Sequence, residues 1–251
     1  MPNNPLLVLI VVIVCVIIGL SKGGLGAALV VLCVPLLSMV MAVPQAISLT
    51  LPLLIFADVF ALVAFWQLWD MHYVKLLLPP AIVGILVGTY LLASLDEITL
   101  RRVMGVFVLF FVVYKVVVEP RLLNATYQPQ NWHGTLAGAI SGFGSALANV
   151  GGPPFTIYML FQRDITPVAF AGTATLFFAI VNALKLPGLI AAHIFDLNDL
   201  ISVLWALPLI PVGVFIGRWG VKRLNRRRFD QIMLAVLTIN AIFLLTVQPG
   251  G

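Results

Sequence analysis

Two stretches of hydrocarbon, Leu6 to Leu20 and Ala27 to Val40, run without a single charge and are separated only by Ser21-Lys22-Gly23-Gly24-Leu25-Gly26. Nothing constrains the fold more than this pairing. The flanking runs belong in lipid or in a bundle of other helices. The hexapeptide between them does not, because glycine weakens a helix and bares its backbone. A lysine at bilayer depth costs about 2.5 to 3.5 kcal/mol on insertion scales. Irregular backbone at that depth is stable only where protein buries it or a wet cavity adjoins it. The hexapeptide therefore reads as a binding loop inside a membrane-embedded segment.

The rest of the chain agrees. Of 251 residues, 62% are hydrophobic and 9% charged, against roughly 25% charged in a soluble domain. That leaves too little polar surface to coat a globule in water. The sequence predicts an all-α integral membrane protein with about eight to ten transmembrane segments, since each crossing needs about 20 apolar residues. The net charge of +5 does not point to nucleic acid, because Lys222, Arg223, Arg226, Arg227 and Arg228 cluster between two apolar runs. That is where the positive-inside rule places a cytoplasmic loop. Cys15 and Cys33 have neither metal-site nor disulfide spacing and read as packing residues. The N-terminal apolar run lacks a basic leader and a cleavage pattern, so it reads as a retained helix.

Apolar segments extend over about 6–40, 44–66, 74–94 and 100–118, and then over about 132–161, 167–187, 200–221 and 229–247. The two series repeat in order. Ser21-Lys22-Gly23-Gly24 is answered by Ser141-Gly142-Phe143-Gly144, and Val43-Pro44-Gln45-Ala46 by Thr166-Pro167-Val168-Ala169. Thr50 is answered by Thr173, Asp58 by Asn182, and Gly84 and Gly88 by Gly213 and Gly217. This defines two homologous halves, 1–118 and 132–251, joined by a linker at 119–131, the duplication on which many transporters are built.

The first segment of each half is too long for one straight crossing: about 36 residues at 1.5 Å each reach roughly 54 Å, against about 30 Å of hydrocarbon. A hairpin or re-entrant pair at the glycines gives each half an odd number of crossings and inverts the halves. That choice puts Lys75, Lys115, Arg121 and Arg163 on the side of the Lys222–Arg228 loop. A single tilted crossing would instead make the halves parallel, and charge placement favours inversion narrowly.

Candidate binding residues follow from helix electrostatics. A helix start carries four unpaired N–H groups and about half a positive charge, so glycines there admit an anion to the amides. Ser21, Lys22, Gly23, Gly24 and Gly26 precede one such start, near Ala27. Gly144, Asn149, Gly151, Gly152 and Pro153 surround another, with Pro153 suited to a first turn. Two such starts facing each other would form a positive pocket. The plainer alternative is that the glycines merely let helices approach closely.

Thr50 and Thr173 offer hydroxyls, although threonine commonly bonds back to its own helix. Asp58 is a proton-coupling group, a partner for Lys22, or a water-facing carboxylate near a helix end. Asn182 and Lys185 form a second polar patch one turn apart, unless Lys185, two residues before Pro187, snorkels to the interface. Asp96, Glu97, Asp196 and Asp199 sit in connections and read as solvated. No nucleophile motif, metal cluster or phosphate loop is present in the sequence, so neither an enzyme nor an ATP-driven pump is expected, and no cofactor.

These residues resemble the TauE/SafE family of sulfite and organosulfonate exporters. The resemblance rests on Gly19-Leu20-Ser21-Lys22-Gly23-Gly24-Leu25-Gly26, Gly142-Phe143-Gly144 and Gly151-Gly152-Pro153-Pro154 within the duplicated layout, and covers nearly the whole chain. It implies secondary transport, usually outward, of small sulfur-containing anions or related carboxylates across a prokaryotic cytoplasmic membrane. The expected partners are then a small anion and lipid. A passive anion channel would use the same amides with no coupling. One departure from strict duplication is Gly142, which takes the place opposite Lys22 and leaves the positive charge unrepeated.

Overall fold

The computed structural model describes residues 5–25, 27–118, 129–162, 165–220 and 226–246. Gly26, Arg121, Arg163 and residues 221–225 of the basic loop lie outside these. The described chain is helical throughout, in the order α1 (Pro5–Leu20), a π turn (Ser21–Leu25), a 3₁₀ stretch (Ala27–Leu32), α2 (Cys33–Leu37), α3 (Val43–Ala64), α4 (Met71–Ser94) and α5 (Glu97–Val113). The second part contains α6 (Asn131–Ala148), α7 (Gly152–Leu160), α8 (Pro167–Ala191), α9 (Leu197–Val203), α10 (Leu209–Gly220) and α11 (Arg226–Thr246). Four helices among the described residues are long and apolar enough to span a bilayer: Pro5–Gly23, Val43–Ala64, Met71–Ser94 and Pro167–Ala191.

Short polar connections set the helix starts. Asp70 caps α4 by accepting from the His72 N–H at 2.9 Å, and Thr166 caps α8 by accepting from Ala169 N–H at 3.2 Å. Asp96 caps α5, accepting from the N–H of Thr99 at 3.0 Å and its hydroxyl at 2.7 Å, and these bonds hold the Asp96 carboxyl below the usual carboxylate range. The start of α3 is served from elsewhere: Val43 N–H donates to Glu97 Oε1 at 3.2 Å, and Glu97 also accepts from Arg101 Nε at 2.7 Å. Glu97 is thus half-buried and engaged rather than solvated, because a helix end packed into the bundle has lost the water that would satisfy its amides.

The helices cross through glycines. A Cβ on Gly142 would stand 2.0 Å from the Ala81 carbonyl oxygen, and one on Gly84 would stand 2.1 Å from that of Ala139. Gly138 lies against Leu77 and Gly88 against Ala146, so α4 and α6 run parallel at backbone contact. The same reciprocal pattern joins α1 and α10, where a Cβ on Gly19 would meet the Ile210 oxygen at 2.4 Å and one on Gly213 the Val16 oxygen at 2.8 Å. α1 thus packs on α10, and α6 on α4.

This packing corrects the alignment read from sequence. Gly142 occupies the place of Gly19, since both face the carbonyl of the partner helix's third residue before Gly84 or Gly213. Counting on from those glycines, the residue opposite Lys22 is Ser145.

The second broken segment is a hairpin. Gly134 packs on Tyr158, and Ser141 Oγ donates to Gly151 O at 2.6 Å, so α7 returns antiparallel along α6. The turn passes through Asn149, whose φ of 56° lies in the left-handed region that asparagine tolerates better than most residues. In the first half, α2 likewise folds back onto α1, and Cys15 and Cys33 are both buried. The break there differs from expectation. A π turn passes into a 3₁₀ stretch and then the five-residue α2, so the first half offers no new α-helix start with free amides. Only α7 supplies one.

Candidate functional site

The long helices α3 and α8 cross at polar residues. Asp58 and Asn182 each stand fifteen residues after the first residue of their helix, and Asn182 Nδ2 donates to Asp58 Oδ2 at 2.7 Å. The other carboxylate oxygen, Oδ1, forms an ion pair with Lys22 from the π turn. Asp58 is 3% exposed. Of the three readings the sequence left open, a water-facing carboxylate is excluded and a partnership with Lys22 is observed. The pair ties the first break to both central helices, and Asp58 has a neutral and a charged donor on opposite oxygens.

Lys185 stands three residues beyond Asn182 and so on the same side of α8. It does not snorkel. It is 0% exposed, because α8 continues through Pro187 to Ala191 and leaves Lys185 well inside its length. Its Nζ donates to Asn149 Oδ1 at 2.7 Å and to the carbonyl and hydroxyl of Ser145, each at 3.2 Å. All three acceptors are neutral, and Lys185 makes no ion pair among the described residues. An ammonium buried without a counter-charge costs several kcal/mol after relaxation. A negative charge arriving from outside would relieve that cost.

Two buried side-chain polar atoms have no partner among the described residues, Asn149 Nδ2 and Thr89 Oγ1. Asn149 lies against Lys185, and Thr89 lies one turn further along α8. Asn149 uses its oxygen on the ammonium, which turns its NH₂ group away with nothing to bond. Thr89, on α4, packs against Gly188, one turn past Lys185 on α8. Unsatisfied buried polar atoms are rare in native proteins and each calls for an explanation. Asn149 is also three residues before the first residue of α7, where Gly151, Gly152 and Pro153 open the helix. A buried cation, a spare amide donor and a helix start therefore meet at Lys185, with a spare hydroxyl one turn further along α8.

The sequence-derived candidates sort accordingly. Gly144, Asn149, Gly151, Gly152 and Pro153 form the hairpin turn that meets Lys185. Ser21, Lys22, Gly23 and Gly24 belong to the π turn joined to Asp58. Thr50 donates to Ala46 O at 2.6 Å within its own helix. Thr173 donates to Ala169 O at 2.7 Å and accepts from Asp70 N–H at 2.8 Å, so it fastens α8 to the start of α4. Neither threonine reaches the charged cluster. Ser145 and Thr89 went unrecognised in the sequence. The place of Ser145 opposite Lys22 emerges only from the helix contacts, and Thr89, a lone hydroxyl in an apolar helix, gave no signal.

A charged cluster enclosed by apolar helices of bilayer length is the interior of a multi-pass membrane transporter. Residues 11–244 match the family described as Sulfite exporter TauE/SafE, and the chain belongs to that family. Its members are transporters rather than enzymes. Neither the curated proteins nor the solved structures contain a match to the chain.

Proposed function

We propose that the protein is a secondary exporter of small sulfur-containing anions such as sulfite or organosulfonates, in a prokaryotic cytoplasmic membrane, and that the anion binds at Lys185. The observation that carries this is the fully buried Lys185 ammonium, held only by neutral acceptors beside the unpartnered Asn149 Nδ2. The opening turn of α7 adds the N–H groups of Gly151 and Gly152, Pro153 and Pro154 having none, together with its dipole. This moves the substrate charge from Lys22, where sequence reasoning put it, to Lys185. Lys22 already has a carboxylate, and the Lys22–Asp58–Asn182 chain is the candidate coupling element, since Asp58 is the site's one buried acid.

Residues 1–118 and 132–251 act in this reading as inverted repeats linked by 119–131. Support comes from chain direction. The hairpins return α2 along α1 and α7 along α6, which leaves five legs per half and ten in all. Parallel α4 and α6 then require α1 and α6 to run oppositely. In this arrangement Lys75 and Lys115 fall on one face of the bundle and Arg101 on the other.

The test is uptake by proteoliposomes across a panel of sulfite, organosulfonates and small carboxylates, with and without a pH difference. Saturable flux of the sulfur anions that accumulates against their gradient when a pH difference is imposed is the expected result. Flux that only dissipates gradients makes the protein a channel, and flux confined to carboxylates removes sulfur from its function.

A further inference from the structure

Resting on that reading of the Lys185 site, we infer that the protein binds its substrate as a singly charged oxyanion, so that an anion able to carry two charges enters only with a proton attached. The charges that face the interior are few. The π turn contributes Lys22, α3 contributes Asp58, and α8 contributes Lys185. From the other elements packed there, α4 brings only the neutral Thr89, and α6 and its turn the neutral Ser141, Ser145 and Asn149. The remaining buried charge among the described residues, Arg101, is matched by Glu97 at the far end of α3.

With Lys22, Asp58 and Lys185 all ionised, the interior carries one net positive charge before the anion arrives. One negative charge cancels it. A second would leave the cavity as unbalanced as before, with the opposite sign, and Asp58 a short distance away would repel it. In low-dielectric surroundings that repulsion is poorly screened.

The unpartnered polar atoms fit the same species. Asn149 Nδ2 can only donate and suits an oxyanion oxygen. Thr89 Oγ1 can donate or accept, so it can receive the O–H of a protonated oxyanion or donate to a third oxygen of a sulfonate. A site built for a dianion would add cations or donors. This one offers a single free ammonium, one free amide group and one hydroxyl able to play either part.

Calorimetry on the full-length protein in detergent tests this directly, with methanesulfonate as a permanent monoanion, sulfate as a dianion that holds no proton near neutral pH, and sulfite as an anion that does. Titrations at mildly alkaline pH in two buffers of different ionisation enthalpy read the protons exchanged. Sulfite is expected to take up one proton more per anion than methanesulfonate, the difference cancelling any proton captured by the protein itself. Sulfate is expected to bind about a hundredfold more weakly than methanesulfonate, a ratio equal to about 2.8 kcal/mol.

Sulfite binding with no more proton uptake than methanesulfonate overturns the inference. So does sulfate binding as tightly as methanesulfonate, since any proton taken up with it would sit on the protein. Two variants provide a second check on the charge count. Asp58→Asn raises the net charge to two and should shift the sulfate-to-methanesulfonate ratio toward sulfate, whereas the double variant Lys22→Met, Asp58→Asn restores one net charge and the original preference. An unchanged ratio in Asp58→Asn refutes charge matching while leaving the anion site standing. Lys185→Met binding all three anions as the wild type does would refute the site itself, and this inference with it.

Discussion

Replacing Lys185 by methionine separates what the residue does for the fold from what it does for the substrate, because the two effects have opposite signs. The methionine keeps most of the length and loses the charge. On the structural side, Asn149 Oδ1 loses its 2.7 Å donor, and an orphaned buried acceptor costs about 1 to 3 kcal/mol. Ser145 O keeps a bond from Asn149 N–H at 3.2 Å, and the Ser145 hydroxyl can rotate. Against these losses stands relief from an ammonium that is 0% exposed and lacks a counter-charge, worth several kcal/mol. The empty variant should therefore melt at the same temperature as the wild type or higher. On the substrate side, opposite unit charges about 4 Å apart attract by roughly 4 kcal/mol at an effective dielectric near 20. At about 1.4 kcal/mol per tenfold, removing the ammonium should weaken anion affinity by about a hundred- to a thousandfold. The assay pairs a thermal melt in detergent with proteoliposome flux of the same preparation. A Lys185→Met protein that melts well below wild type, or that transports normally, would refute the reasoning: the first outcome makes the lysine a structural prop, and the second takes it out of the pathway.

Gly142→Ala should destabilise the fold by about 1 to 3 kcal/mol or more, since its Cβ would stand 2.0 Å from a backbone oxygen of α4 that cannot swing aside; Gly19→Ala should behave alike, both read as a fall in melting temperature. Ser141→Ala removes the 2.6 Å bond to Gly151 O that closes the α6–α7 hairpin, costing about 1 to 3 kcal/mol. It should also reduce flux at saturating substrate if the α7 start must be held in place. Asp96 is hydrogen-bonded to Thr99, which holds its folded pKa below the ordinary carboxylate value. Its contribution to stability is therefore present above that ordinary value and is lost as pH falls through the lowered one. Asp96→Asn keeps a good helix cap and should flatten that acid limb in a pH series of thermal melts.

How much of this was legible in the sequence depends on whether a feature is local. Chain-long hydrophobicity and the two breaks are local, and both were visible. The caps at Asp70, Asp96 and Thr166 obey an equally local rule, a short acceptor before a helical run, but Asp96 was read only as a solvated connection residue. The alignment of the repeats slipped by three residues because glycines recur within both motifs, and only their contacts distinguish Gly19 from Lys22 as the partner of Gly142. Lys185 was misplaced because proline normally signals a helix end, whereas α8 runs through Pro187 to Ala191. Inside a bundle, neighbouring helices and side chains satisfy the groups that proline frees. The first break was expected to start a helix, yet its small residues wind into π and 3₁₀ turns instead. Which of these forms follows a run of glycines depends on what packs around them, and no spacing encodes that.

The two halves differ most where their helices cross, and the difference has a mechanical consequence. In the first half the lysine rises from the break and meets a carboxylate on the long helix, Asp58. In the second half the roles are exchanged: the lysine is on the long helix, and the break answers with Ser145 and Asn149, which carry no charge. Strict duplication would have made two equivalent sites, each either self-neutralised or hungry for an anion. The exchange makes one of each kind, and Asn182 bridges them by bonding Asp58 while standing one turn from Lys185. In the proposed reading, an anion at Lys185 stands one turn of α8 from Asn182, so the site that takes the substrate and the site that is already neutralised are tied together at the crossing of α3 and α8.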